Sequence, residues 1–340
     1  MKNFDQKPAR ITVKKMETDA EIRGKAYVHW KAWHEAYPGL VSQDYLDRFT
    51  LEKAEKMAFS WTDSLLVALD GDRVIGFAGY GTRTEDPGFG EVFALYVLSE
   101  YYGTGAGLLL MDAAMEQLKA YPEVRLWVLK DNARAIRFYE KCGFTPDGQE
   151  LYSERVSASE IRMCRKSSAG QALPKELELY VPKREDLWFQ EKLLSDPATM
   201  SYNAPWFPPD GCILFPESDW DEWMRDWIGN EPECFYAYLR RKADGAFVGD
   251  VNFHRSGDGD WWDMGIVLYA PYRGKGYAAQ GLRLLLDRAF RVDAIPCLHN
   301  DFETGRTAAY RAHRAAGFRC AGIDDGCWQL RLTREEYLHQ

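Results

Sequence analysis

The chain has 340 residues, with 43 Lys and Arg against 52 Asp and Glu, giving a formal net charge of −9 and a pI near 5.3. That acidity argues against a general nucleic-acid-binding role, which needs a basic face for phosphates. No stretch nears the roughly 18 apolar residues of a membrane span, and the opening MKNFDQKPARITVKK has no signal-peptide apolar run. The hydrophobic share of 46% is ordinary for a globular protein, and the length implies two domains, each able to bury a core. Seven cysteines, odd in number and without a CxxC pair, suggest neither a disulfide framework nor a zinc site. Reduced thiols in the cytoplasm and no bound metal are the expectation.

In chain order, Ile11–Met16 alternates like a strand and Asp19–Ala36 reads as a helix. Ser42 is placed to cap a second helix reaching about Phe59, since a hydroxyl satisfies a free amide there. Leu65–Leu69 and Val74–Tyr80 flank Asp70-Gly71-Asp72, a hairpin signature. A strand at Glu91–Leu98, a helix from about Thr104, a strand at Val124–Lys130, a helix at Ala133–Cys142 and two closing strands follow. The small, flexible run Ser167–Pro174 then reads as a linker between domains at 1–168 and 175–340. With 23 basic and 25 acidic residues before residue 170 and 20 and 27 after it, the halves carry −2 and −7. The second half's charge fits either a solvated surface or attraction of a cationic substrate.

The second half repeats the order of the first. Gly103-Thr104-Gly105-Ala106-Gly107 returns 171 positions later as Gly274-Lys275-Gly276-Tyr277-Ala278, again between an apolar run and a periodic helix. Gly143-Phe144 and Gly317-Phe318 follow their loops by 40 and 43 residues, each closing a helix. Strands interspersed with helices imply, in each half, an α/β architecture: a mixed sheet covered by helices. Glycines between strand and helix let the unpartnered amides of a first helical turn approach an anion, and a diphosphate suits that site. A tight turn needing glycine for steric reasons alone is the competing reading. A dinucleotide fingerprint is excluded by position, since these loops follow about the fourth strand rather than the first.

These motifs resemble the GNAT superfamily of acetyl-CoA-dependent N-acetyltransferases, in two tandem copies over nearly the whole chain. The second half carries that family's loop pattern as Arg273-Gly274-Lys275-Gly276-Tyr277-Ala278; the first keeps the glycines but has Tyr102 where Arg or Gln is usual. Asn132–Phe144 (NARAIRFYEKCGF) is similar to the family's later helix, and Trp30–Tyr37 to its first. The resemblance implies that the loops hold the pyrophosphate of acetyl-CoA. It also implies that the pantetheine arm pairs with the backbone of Leu95, Tyr96 and Val97 in one half, and of Ile266, Val267 and Leu268 in the other. Direct acetyl transfer to a primary amine, on a small molecule or a peptide N-terminus, is the implied activity; the alternative is a non-catalytic acyl-CoA-binding or scaffold protein.

An amine is mostly protonated near neutrality, so transfer gains from a base, and the departing thiolate from an acid. Glu91, four residues before Leu95, is expected on the same sheet face and matches the place of a base Glu in the family's histone-acetyltransferase branch. A solvated Glu at a strand entrance is the plainer reading. Tyr139, two turns after Asn132, matches the family's general acid, and Asn132 its cofactor-contacting helix start. Tyr139 as packing and Asn132 as an N-cap are the plainer readings. Counting from the glycines puts Trp262, Arg306 and His313 in the second half where Glu91, Asn132 and Tyr139 stand in the first, with Asp263 and His254 as base candidates lacking positional support. Trp220, Trp223 and Trp227 repeat at helical spacing after Ser218, an expected cap, and fit either a helix packing inward or an aromatic, acidic wall for an amine.

Overall fold

The computed structural model describes residues 10–84, 86–166, 176–257 and 261–339. The expected linker Ser167–Pro174 falls outside them. The chain divides into two compact units, Met1–Gln171 with Gly322–Cys327, and Ala172–Ala321 with Trp328–Gln340. All seven cysteines are free thiols.

The first half contains β1 (Ile11–Lys15), α1 (Asp19–Ala36), α2 (Gln43–Arg48), α3 (Leu51–Ser60), β2 (Leu65–Asp70), β3 (Arg73–Arg83) and β4 (Asp86–Val97). It continues with α4 (Ala106–Gln117), β5 (Glu123–Leu129), α5 (Ala133–Lys141), β6 (Thr145–Ser153) and β7 (Ala158–Lys166). The single helix expected from Ser42 to Phe59 is two. Ser42 caps α2 as expected, but Thr50 then accepts the Lys53 amide and starts α3 afresh, with Phe49 buried at the break. The strands lie in the order β6-β7-β5-β4-β3-β2-β1. Neighbours are antiparallel except β4 and β5, which run parallel.

The second half holds β8 (Leu177–Tyr180), α6 (Trp188–Ser195), α7 (Pro197–Met200), α8 (Trp220–Trp227), β9 (Cys234–Arg241), β10 (Phe247–Arg255) and β11 (Trp262–Leu268). Then come α9 (Tyr277–Asp287), β12 (Cys297–Glu303), α10 (Thr307–Ala316), β13 (Arg319–Asp324), β14 (Cys327–Thr333) and α11 (Arg334–Leu338). Its strand order, β13-β14-β12-β11-β10-β9-β8, repeats that of the first half element for element, and β11 and β12, in the places of β4 and β5, again run parallel. Ser218 does not cap α8. It sits in a short 3₁₀ turn with its hydroxyl on Asp219, and the capping position is Asp219 itself, without a side-chain bond.

Each sheet is covered on both faces. In the first unit, α1 to α3 close one face over Val28, Trp33, Leu46, Ala54, Val67 and Phe77, while α4 closes the other, its Leu110 against Gly76. In the second, α6 and α8 cover Phe189, Leu193, Tyr236 and Tyr238, while Gly281 of α9 lies against Leu239 and Ile266 on the opposite side. The helix face carrying the three tryptophans packs inward: Trp220 is buried, and Trp223 and Trp227 rest on Tyr236.

Candidate active site

Where a parallel pair of strands separates, the backbone of each is left without a ladder partner. In the first unit the β4–β5 ladder covers only Gly90 opposite Val124 and Glu91 opposite Arg125. Beyond Glu91, β4 runs on to Val97 alongside β3 alone. In the second unit the ladder of β11 with β12 covers only Trp262 opposite Leu298 and Asp263 opposite His299. Both gaps expose the strand segments expected to pair with an extended arm: Leu95, Tyr96 and Val97 in one, Ile266, Val267 and Leu268 in the other. Amide and carbonyl groups on such an edge want partners, and an extended chain bearing amides supplies them.

Each open strand ends at a glycine loop. Gly103 and Gly105 have φ of +81° and +96°, and Gly274 and Gly276 have φ of +77° and +79°, a region side-chain-bearing residues adopt only with strain. Gly105 and Gly276 are the N-caps of α4 and α9, and neither helix start receives a side-chain cap. Helices α1, α2, α3, α5 and α7 are closed by Thr18, Ser42, Thr50, Asn132 and Asp196, while α6, α8 and α10 also start without a side-chain cap but follow no glycine loop. The first-turn amides of α4, at Ala106 and Gly107, and of α9, at Tyr277 and Ala278, therefore face the loop with the positive end of the helix dipole behind them. Thr104 closes the loop, donating its hydroxyl to the Tyr101 carbonyl at 2.8 Å, while its oxygen makes a long contact of 3.4 Å with the Ala106 amide and leaves that of Gly107 to the loop.

The loops differ in their cations. Arg134 of α5 stacks on the Tyr102 ring, 3.1 Å from its centroid, and so brings a guanidinium to the loop that lacks the expected Arg or Gln. In the second loop Arg273 is turned the other way. It donates to the carbonyls of Leu268 at 3.2 Å, Ala198 at 2.9 Å and Thr199 at 2.7 Å, fastening α7 to the end of β11. Lys275 lies 5.3 Å over the Tyr272 ring.

The two strands also differ in register. Between β3 and β4, Gly79 faces Ala94 and Tyr80 faces Val92, so Phe93 is an extra residue, a bulge. The bulge breaks the period of two: Glu91 shares a face with Ala94 and Tyr96, and Leu95 lies on the other with Val92 and Val97. The expectation that Glu91 and Leu95 share a face fails for this reason. The corresponding pairing of β10 with β11 is unbroken from Gly249–Leu268 to Arg255–Trp262. Aligned on the last rung of the parallel ladder, Glu91 corresponds to Asp263, not Trp262. Counting residues from the glycines missed this because β4 contains the bulge and β11 does not. Trp262 is a packing residue whose indole donates to the Pro232 carbonyl at 2.8 Å.

Glu91 is 8% exposed and held in a fork by Arg83, whose Nε and Nη2 donate to its two oxygens at 2.5 and 2.6 Å. Tyr139 extends from α5 toward Tyr96, and burial raises its pKa, with the neighbouring Tyr96 hydroxyl adding to the effect. Tyr37 donates to the Tyr96 hydroxyl at 3.3 Å. At neutral pH Tyr139 is therefore a neutral O–H donor. Asn132 does the plain job, accepting the Ala135 amide at 3.1 Å as the cap of α5. A cavity of about 480 Å³ opens beside the bulge, lined by Trp61, Tyr80, Gly81, Phe93 and Tyr121 with Asp63. Gly81 is the cross-strand neighbour of Glu91.

His313, in the place of Tyr139, is 1% exposed and bonded at both ring nitrogens. Nδ1 donates to the Ala309 carbonyl at 2.9 Å and Nε2 accepts from Asn300 at 2.9 Å. Burial lowers its pKa to about 4, so it is neutral and has no proton free for a leaving group. Arg306, in the place of Asn132, caps nothing with its side chain and lies 4.4 Å over the Tyr202 ring. Among the described residues no group of His, Cys, Asp and Glu is arranged to hold a metal ion.

Residues 27–144 match the acetyltransferase (GNAT) family and residues 176–319 the acetyltransferase (GNAT) domain. A mycothiol acetyltransferase of Actinosynnema mirum is 32% identical over 134 residues, 38% of this chain and 41% of that protein, so the match spans less than half of that relative. An uncharacterized N-acetyltransferase of Bacillus subtilis, YuaI, is 31% identical over 136 residues, 38% of this chain and 78% of its own length. Among solved structures, the PaiA N-acetyltransferase of Thermoplasma acidophilum in complex with coenzyme A aligns over 46% of this chain and 99% of its own, at 22% identity and a TM-score of 0.38.

Proposed function

The chain belongs to the acetyltransferase (GNAT) family, two of whose domains it carries in tandem, and on that premise we propose that it moves an acetyl group from acetyl-CoA directly to a primary amine. The observation that supports this best is the meeting, at one end of β4, of a strand edge without a ladder partner and a helix start without a side-chain cap. The first suits the amide-bearing pantetheine arm, along Leu95 to Val97. The second suits the diphosphate, on the amides from Gly103 to Gly107, with the Arg134 guanidinium alongside.

In the first unit Tyr139, neutral and half-buried, protonates the departing thiolate. Glu91 takes a proton from the attacking amine through water, the Arg83 fork fixing its carboxylate. The acceptor approaches from the α1–α3 face, where the bulge brings Glu91 and Tyr96 together, and is a small-molecule amine or a peptide N-terminus. Seven free thiols fit work in the reducing cytoplasm.

Thiol release from acetyl-CoA, followed over a series of primary amines, tests the reading. Tyr139→Phe is expected to lower turnover in the first unit by roughly 10²–10⁴-fold while leaving coenzyme A affinity nearly unchanged. Equal turnover in the variant, measured with the second loop closed by Gly276→Glu, removes Tyr139 from the reaction. Absence of thiol release with every amine overturns the activity itself.

A further inference from the structure

The second unit lacks a tyrosine acid and has its loop arginine turned away, yet the face of its sheet under α6 and α8 is far more polar than its counterpart. Phe77, fully buried, pairs with Tyr96 one rung before the first loop. At the same rung before the second loop, opposite Val267, stands Asp250. Outward from it on the same face run Asn252 opposite Gly265, then His254 opposite Asp263, with His299 opposite Asp263 on the far side. Three strands thus set His254, Asp263 and His299 in one row, on the last rung before β11 and β12 part. His299 Nδ1 and Asp263 Oδ1 are 3.1 Å apart, and His299 Nε2 lies 3.3 Å from Gln329.

The row is accessible: His254 is exposed, and Asp263 and His299 are partly so. Gly265 carries no side chain, and the Asn252 amide packs over it, adding a polar group to the same face. Trp227 lies at the His254 end of the row, its ring centroid 5.7 Å from that of His254 and 5.8 Å from that of Tyr236; Trp223 stands edge-on to Tyr236 at 4.7 Å, and Trp261 lies 6.4 Å from His299 at the other end. The inner end is closed by Asp250 and Tyr236, each 4% exposed. An aromatic wall with carboxylates at the middle and the end is chemically matched to a cationic amine with a flat or alkyl body. The plain alternative, that these groups only complete a core, does not explain a carboxylate where the first unit buries a phenylalanine.

We propose that the second unit is a catalytic site in its own right, in which the Asp263–His299 pair accepts the proton of an amine seated beside the accessible row, next to His254. The inference rests on the acetyl-transfer reading. The amine nitrogen bonds to the thioester carbonyl carbon as the carbon–sulfur bond breaks. Of the two protons lost by the ammonium, one passes to Asp263–His299 and one ends on the thiol. Asp263 is the proton acceptor and, being partly exposed, returns the proton to solvent; His299 is the positioning residue that fixes its carboxylate.

The test uses the full chain carrying Gly105→Glu, which closes the first loop to phosphate. Acetyl-CoA is presented with tyramine, 1,4-diaminobutane or a tripeptide with a free N-terminus, and thiol release is followed. Amine-dependent release is expected to survive Gly105→Glu, to fall by about 10²–10⁴-fold on adding Asp263→Asn, and to return in large part with Asp263→Glu. Coenzyme A titration is expected to keep one site per chain in each of these variants. His299→Gln is expected to lower turnover with little change in KM. If the unsubstituted chain transfers acetyl groups and Gly105→Glu abolishes all of it, the second site is refuted while the general activity stands. Turnover within twofold after Asp263→Asn, or a coenzyme A site lost with it, refutes the assigned role. If the unsubstituted chain transfers to none of the three amines, both readings fall.

Discussion

Strand β4 carries one residue more than its counterpart β11 between the last parallel rung and the glycine loop, and much of the difference between the two units follows from that residue. The bulge at Phe93 turns Glu91 onto the face of Ala94 and of Tyr96, the residue that Tyr139 neighbours. Without a bulge, β11 keeps strict alternation and lines Asp263, Gly265 and Val267 along one face opposite His254, Asn252 and Asp250. The first unit has a tyrosine acid and a carboxylate forked by arginine. The second has its histidine sealed into α10 and a carboxylate flanked by two other histidines. Two copies of one topology can therefore diverge in chemistry through a single-residue change of register.

The largest expected contrast is in coenzyme A binding. Gly105→Glu and Gly276→Glu put a carboxylate and a strained φ where a diphosphate is to sit, and each is expected to remove one site and spare the other. Loss of both sites from either substitution would break the separation of the units. Next comes Tyr139→Phe against His313→Ala. The first is expected to lower turnover with stability nearly unchanged. The second is expected to cost about 2–4 kcal/mol of stability, read as a shift in denaturation midpoint, because it leaves a cavity and an unpaired Asn300 amide.

The repeat itself was legible in the sequence, because glycine spacing and helix endings depend on local backbone needs. The bulge was not, since β4 reads as an ordinary alternating strand, and its extra residue shows only against the register of β3. That is why counting placed Trp262 against Glu91. The His254–Asp263–His299 row was invisible for a related reason: its members lie on three strands joined only by pairing. The Arg134–Tyr102 stack had a faint sequence signal, a tyrosine where a cation was expected and an arginine two residues past Asn132. The turning away of Arg273 depends on the carbonyls of α7 and left none.

Smaller contrasts concern buried charge. Burial raises the Asp250 pKa to about 7, far above its unfolded value. The folded state therefore binds more protons between about pH 4 and 7, and this group's effect on stability worsens as pH rises through that window. Asp250→Asn is expected to make the chain more stable at pH 8 by a few kcal/mol and to remove that decline, as urea denaturation at pH 5 and pH 8 would read. His313 has the opposite sign: with its pKa lowered to about 4, it favours folding above about pH 6.5, and that stability is lost as pH falls toward 4. The first unit buries a cation, Lys25, its pKa lowered to about 8 by burial against the Trp61 and Phe77 rings. Here the unfolded state holds more protons between about pH 8 and 10.5, so stability rises with pH across that range. Lys25→Met is expected to flatten that rise and to stabilise the chain modestly at pH 7.

The most direct single measurement is the calorimetric count of coenzyme A sites on the intact chain, repeated with Gly105→Glu and with Gly276→Glu. Two sites, each abolished by its own substitution alone, are the expected result. No site at all, or a count that neither substitution changes, would contradict the claim that these glycine-opened helix starts hold the diphosphate.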